Sequence, residues 1–393
     1  MLASRLLRFL PAVLPALLLA PRSGLFLAQQ DPPPQPRLPF VAAVRAGNTH
    51  YLSGWGSRNP ATGEHPEGFD AQVHQLMKNL QELLRKHGRE LRHVVQSHAY
   101  ITYPDRFADF ARIYGQYFSG PPPALTLVGV PRLPATEVEI AFIASHAGEL
   151  TPIRLKGVTT PAHASPALRN GDYVYVSGMD SRDLRTGRLP EGSFRDHARK
   201  ALENVGTVLR AAGMTYRDAV KVEVFLTDLA AFEAMNEVYR SVFAEAPPTR
   251  TTIGVTELPG GSPIVINLVA ATRKEVIVPD GVKPNSSFSP AIRVGDRVFL
   301  SGKIGTVPGG VGAQVREVMD DLGRTLRAAG LDFSQVVEAK VYLADMEDYA
   351  AMNEAYGGYF RERLPARSCI QAGSLLRNSR VEITLTADAS VRP

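Results

Sequence analysis

The chain of 393 residues has a single cysteine, Cys369, which excludes an internal disulfide framework and any cysteine-based metal cluster. Its nine histidines show no metal-ligand spacing. His93 and His98 share one strand-like segment, while His50, His65, His74 and His163 stand apart. Blocks of one charge are also missing. The net charge of +5 comes from scattered arginines with acids interleaved, and no stretch shows the basic-aromatic pattern of a nucleic-acid surface. No nucleic-acid partner is expected, and a nuclease or translation-blocking role finds no support. The glycine-rich Pro308-Gly309-Gly310-Val311-Gly312 lacks the Lys-Ser/Thr ending of a phosphate loop and reads as a tight turn.

Acids are absent before Asp31, and Arg5 and Arg8 precede an apolar run from Phe9 to Ala20 interrupted by Pro11 and Pro15. That run is too short for a stable membrane span. The layout is that of an export signal, implying a periplasmic or secreted protein, with an organellar transit peptide as the alternative. Asp31-Pro32-Pro33-Pro34-Gln35-Pro36 follows as a stiff, solvated linker, so residues 1–38 are set apart from the fold.

What is present is a repeat of domain length. His50-Tyr51-Leu52-Ser53-Gly54, Tyr173-Val174-Tyr175-Val176-Ser177-Gly178 and Arg297-Val298-Phe299-Leu300-Ser301-Gly302 align, with successive serines 124 residues apart. Gly88, Gly213 and Gly330 each close a helical pattern where a C-terminal glycine is expected. From the second to the third of these glycines the offset falls to 117, so the third copy is seven residues shorter between Ser301 and its helix. The boundaries read as domains 39–150, 151–277 and 278–393.

In the second copy Tyr173 to Ser177 alternates as a strand. Ala198, Ala201, Leu202, Val205, Val208, Leu209 and Ala212 then recur at helical spacing. A valine-rich strand over 219–227 leads to a second helix over about 229–243, and strands over 251–255 and 264–270 close the copy. The order is ββαβαββ in all three, an α/β (α+β) module. Helices on one sheet face leave the other needing cover, which three joined copies can supply to each other.

The third copy resembles the Rid/YjgF family of RidA-like enamine/imine deaminases. The resemblance lies in Ser301-Gly302, Asn353-Glu354-Ala355-Tyr356 before Phe360, Pro365-Ala366-Arg367-Ser368-Cys369, and Val381-Glu382-Ile383, and spans residues 285–388. The second and first copies are similar to the family at lower fidelity. The resemblance implies a chorismate-mutase-like trimer with sheets inside, helices outside and ligand clefts between subunits, here as an intrachain pseudo-trimer acting as a monomer. It also implies hydrolysis of small 2-imino acids without metal or organic cofactor. Arg367 would clamp the carboxylate through two parallel hydrogen bonds, and Glu382 would move protons for water attack. Cys369 would line the pocket, with Ser301, Gly302, Asn353 and Tyr356 as further binding candidates, and Arg250, Asn236 and Ser177 as their second-copy counterparts. Departures from the family pattern occur at Ala291, where a tyrosine is usual, and at Lys303, where a glutamine is usual.

The copies differ at these positions. The first has Leu125 where the others have Arg250 and Arg367; the second has Val265 where the others have Glu139 and Glu382; and Ala111 stands where Asn236 and Asn353 recur. If arginine and glutamate act from one copy, only the third is complete and the first is degenerate. If the glutamate comes from a neighbour, Arg250 pairs with Glu139 or Glu382. A non-catalytic module that binds small carboxylate metabolites, as a sensor or scaffold, is the alternative function. Cys369 reads as a small buried wall, not a nucleophile.

Overall fold

The computed structural model describes residues 38–283 and 285–391. The leader and the proline-rich linker, with the export reading they carry, lie outside the described residues.

The first module runs β1 (Ala43–Ala46), β2 (Thr49–Leu52), α1 (Phe69–Lys86), β3 (Val94–Ile101), α2 (Phe107–Gly115), β4 (Ala124–Gly129) and β5 (Val138–Ser145). The second comprises β6 (Thr151–Ile153), β7 (Ala167–Asn170), β8 (Tyr173–Asp180), α3 (Phe194–Ala211), β9 (Ala219–Leu226), α4 (Phe232–Phe243), β10 (Thr249–Gly254) and β11 (Ile264–Ala271). The third comprises β12 (Glu275–Ile277), β13 (Ala291–Val294), β14 (Arg297–Leu300), β15 (Lys303–Ile304), α5 (Val311–Ala328), β16 (Val336–Leu343), α6 (Tyr349–Gly357), β17 (Ala366–Gln371) and β18 (Val381–Asp388). The expected ββαβαββ order is thus found three times, with three short strands added.

Each helix forms for local reasons. α3 starts at Ser193, whose reciprocal hydrogen bonds with Asp196 make a capping box, and it buries the expected stripe from Ala198 to Leu209. It stops at Gly213, at φ 69°, where the Met214 N–H donates back to the Leu209 carbonyl. Gly88 and Gly330 end α1 and α5 in the same way, at φ 66° and 69°. The expected second helix over 229–243 is a 3₁₀ turn at Leu229–Ala231 followed by α4. The tight turn expected at Pro308-Gly309-Gly310 is a bend that leads into α5, with Gly310 as its N-cap.

The sheets run β1-β2-β5-β3-β4, then β10-β9-β11-β8-β7-β6, then β12-β13-β14-β18-β16-β17 with β15 beside β18. In each, the last helix returns the chain to a parallel edge strand: β4 on β3, β10 on β9, β17 on β16. One boundary shifts. Glu275–Ile277, read as the end of the second domain, pairs with Ala291–Arg293 and belongs to the third sheet. A three-residue strand has too little alternation to be read from sequence.

Each module packs its helices on one sheet face over its own core. The other faces meet in clusters shared by all three modules, as the pseudo-trimer reading expects. The central strands β3, β9 and β16 supply matching layers there. Val95, Val220 and Val337 lie together, as do Tyr100, Phe225 and Tyr342. Between these layers the fifth residue of each central strand differs: His98, Glu223 and Lys340. The Glu223 carboxylate accepts from His98 Nε2 at 2.7 Å and Lys340 Nζ at 2.6 Å, all three fully buried. Among the described residues no helix is long and apolar enough to cross a membrane.

Candidate active site at the module seams

The modules close into a ring through three equivalent seams, each joining the parallel edge strand of one to the second hairpin strand of the next. One serine fastens each seam. Ser53 Oγ accepts the Arg367 N–H at 2.8 Å, Ser177 Oγ the Leu125 N–H at 2.9 Å, and Ser301 Oγ the Arg250 N–H at 2.9 Å. Each hydroxyl donates in turn to the carbonyl twelve residues back, at Val41, Ser165 and Ser289. Ser177 and Ser301, read as ligand contacts, therefore have their donors committed to assembly. That explains why all three copies carry the serine whatever else they carry.

The second residue of each edge strand points into the cleft beside its seam. Arg367 is buried beneath Phe40, Tyr349 and Tyr356, with ring centroids 4.6, 5.7 and 5.1 Å from its guanidinium carbon. It donates to Tyr349 Oη at 3.2 Å and to Met352 Sδ at 3.9 Å. Arg250 sits against Phe232, Tyr239 and Phe288 and donates to Asn236 Oδ1 at 2.8 Å. Faces of aromatic rings make burial of a guanidinium tolerable and hold its fork in one orientation. The second-copy Asn236 thus positions its arginine, whereas Asn353 leaves its Oδ1 buried without a hydrogen-bond partner among the described residues.

The glutamates come from the neighbouring module. Arg367 faces Glu139 of the first module across a cavity of about 190 Å³ that also touches Gly54, Tyr349 and Cys369. Arg250 of the second module acts electrostatically on Glu382 of the third, and the Thr252 backbone likewise favours the ionised form of that carboxyl. Arg367 and Glu382 therefore do not share a cleft, which corrects their assignment to one site. The reason is sheet order: β16 lies between β17 and β18, so an arginine on β17 turns to the neighbour, away from β18. The first module is also not merely degenerate, because its Glu139 completes the Arg367 cleft.

Both carboxyls are buried, and loss of hydration pushes each from 4.5 up to about 8, against the pull of the facing arginine. Glu139 Oε1 and Glu382 Oε2 have no hydrogen-bond partner among the described residues. The seam glycines make room for them. A Cβ on Gly302 would lie 2.2 Å from Glu382 Oε1, and one on Gly54 would lie 1.9 Å from Glu139 Oε1. Gly302 is thus a space-making residue for the acid. Burial pushes the Cys369 thiol up to about 12, which suits the expected inert wall. Tyr356 is buried against Arg367 as part of its aromatic seat.

Sequence reading missed this aromatic seat. Phe40 and Phe288 each stand thirteen residues before the seam serine, and Ala164 holds the same place in the second copy. The thirteen-residue spacing carries the signal, but these rings lie ahead of the alternating strand that marks the repeat. The third seam, between first and second modules, joins Leu125 to Val265 and so lacks both charged partners.

The geometry defines one class of site twice: a stacked arginine from one module and a neutral-leaning carboxyl from the next. The endoribonuclease L-PSP family model matches residues 31–146, 158–272 and 279–389. The chain belongs to that family, the Rid/YjgF proteins, as three tandem copies. It is similar to the 2-iminobutanoate/2-iminopropanoate deaminase of Mus musculus, 39% identical over 130 residues, covering 31% of this chain and 92% of that protein. Protein DfrA of Myxococcus xanthus is 40% identical over 124 residues, covering 29% and 95%. Among solved structures, Escherichia coli TdcF with bound serine is 33% identical and covers 32% of this chain and 98% of that one, with a TM-score of 0.28.

Proposed function

We propose that the chain hydrolyses small enamine or 2-imino acids at two seam clefts, Arg367 with Glu139 and Arg250 with Glu382. The carrying observation is that each cleft sets a buried, ring-seated guanidinium opposite a buried carboxyl held near pKa 8. The likeness to iminobutanoate/iminopropanoate deaminases supports the substrate class.

The substrate carboxylate would accept two parallel hydrogen bonds from the guanidinium, balancing a charge that is costly to bury alone. The protonated glutamate would then give its proton to the imine nitrogen, or to the enamine carbon, forming an iminium. As carboxylate it takes a proton from water while that oxygen bonds the former imine carbon. The reprotonated glutamate then gives that proton to the amino nitrogen, the carbon–nitrogen bond breaks to release ammonia, and the carboxylate takes the hydroxyl proton as the carbonyl of the 2-oxo acid forms. A carboxyl with its pKa near working pH can serve in both directions. The seams close within one chain, which supports action as a monomer.

The test is release of ammonia and 2-oxo acid from an imine generated in situ. Arg367→Ala and Arg250→Ala should each remove a share of turnover, and together nearly all of it. Full turnover in the double variant would refute the proposal. Saturable carboxylate binding with no turnover in the unaltered chain would favour a sensor or scaffold instead.

A further inference from the structure

We propose that the third seam cleft, between the first and second modules, is a binding site for a neutral, predominantly apolar small molecule. The inference rests on the equivalence of the three seams and not on the imine chemistry of the other two.

The third seam is assembled like its counterparts. Ser177 accepts the Leu125 N–H, and Gly178 again underlies the acid position, where a Cβ would meet Val265 Cγ1 at 2.8 Å. The assembly device is intact while the ligand-facing positions have changed together. Leu125 stands for arginine, Val265 for glutamate, Ala111 for asparagine and Ala164 for the stacking phenylalanine. The space has grown instead of collapsing. The cleft holds about 530 Å³, against about 190 Å³ around Arg367, and falls within the usual range for small-molecule pockets.

Its walls name the ligand class. Phe107, Leu125, Leu127, Leu155, Met179 and Val265 line the cavity. Charges at its rim are mutually engaged: Arg182 pairs with Asp180, and Lys200 with Asp183 at 3.1 Å. A ligand carboxylate would lose its hydration here with no free guanidinium to receive it. An uncharged apolar molecule gains free energy in proportion to the surface it buries. His163 lines the same cavity, and burial and Arg182 both lower its pKa, so its neutral ring offers one donor and one acceptor.

The probe is N-phenyl-1-naphthylamine, titrated into the full chain and read by fluorescence. Saturable binding at one site per chain is expected, unaffected by Arg367→Ala and not displaced by 2-oxobutanoate. Ala164→Phe restores the ring that the other two modules carry and should weaken binding about tenfold or more by filling the cavity. Leu125→Arg should weaken it similarly by placing a charge in an apolar wall. Near-UV circular dichroism verifies that each variant is folded. Absence of saturable binding, affinity unchanged in either folded variant, or displacement by 2-oxobutanoate would each overturn the proposal.

Discussion

At the scale of residues, the chemistry turns on two carboxyls that resist ionising. Glu139 and Glu382 are held near pKa 8, so the acid form that donates the first proton persists to that pH, and turnover should fall as pH rises through it. The same shift makes a stability prediction. A carboxyl with pKa 4.5 unfolded and about 8 folded binds more protons when folded, so its contribution declines from pH 4.5 to about 8 and then levels. Glu139→Gln, which cannot ionise, should raise the melting temperature relative to the unaltered chain more at pH 9 than at pH 5. An equal shift at both would argue against a neutral buried acid. Gly302→Ala should lose turnover at the Arg250 cleft and cost about 1–3 kcal/mol, because its methyl meets the Glu382 carboxyl. The residue types were legible in the sequence; their pairing was not. Arg367 and Glu382 lie close in the chain, yet a strand separates them, and strands stand about 4.8 Å apart.

At the scale of elements, the edge strands β4, β10 and β17 would each expose unpaired backbone groups if the modules stood alone. The seam serines cover part of that edge. Ser177→Ala should destabilise the fold by about 1 kcal/mol or more, and Ser301→Ala by a similar amount, though of the two only Ser301 borders an arginine. Urea unfolding of the two variants checks it, and a neutral Ser177→Ala would show the hydroxyl to be a ligand contact instead. Helices were the most legible elements, because apolar stripes and terminal glycines agree. Strands β6 and β12 were invisible as strands, since each is a linker that becomes an edge only when a neighbouring hairpin is in place.

At the scale of the whole molecule, covalent joining lets threefold-equivalent positions hold unlike residues. His98, Glu223 and Lys340 occupy one position in three strands, and a trimer of identical chains cannot place one of each on its axis. In a single-chain reading they look like unrelated divergence; only the ring brings them together. Glu223→Ala leaves a lysine and a histidine buried without their common acceptor and should cost about 3–5 kcal/mol in urea unfolding. A loss below about 1 kcal/mol would mean the triad contributes little to assembly. The same freedom allows two seams to keep an arginine and a glutamate while the third keeps neither.

The pairing across seams is tested most directly by comparing two double variants for imine turnover. If Arg367 works with Glu139, then Arg367→Ala/Glu139→Gln disables one cleft and should retain the residual turnover of Arg367→Ala alone. Arg367→Ala/Glu382→Gln disables both clefts and should retain almost none. The opposite outcome, with turnover lost in the first pair and retained in the second, would contradict sites built between modules.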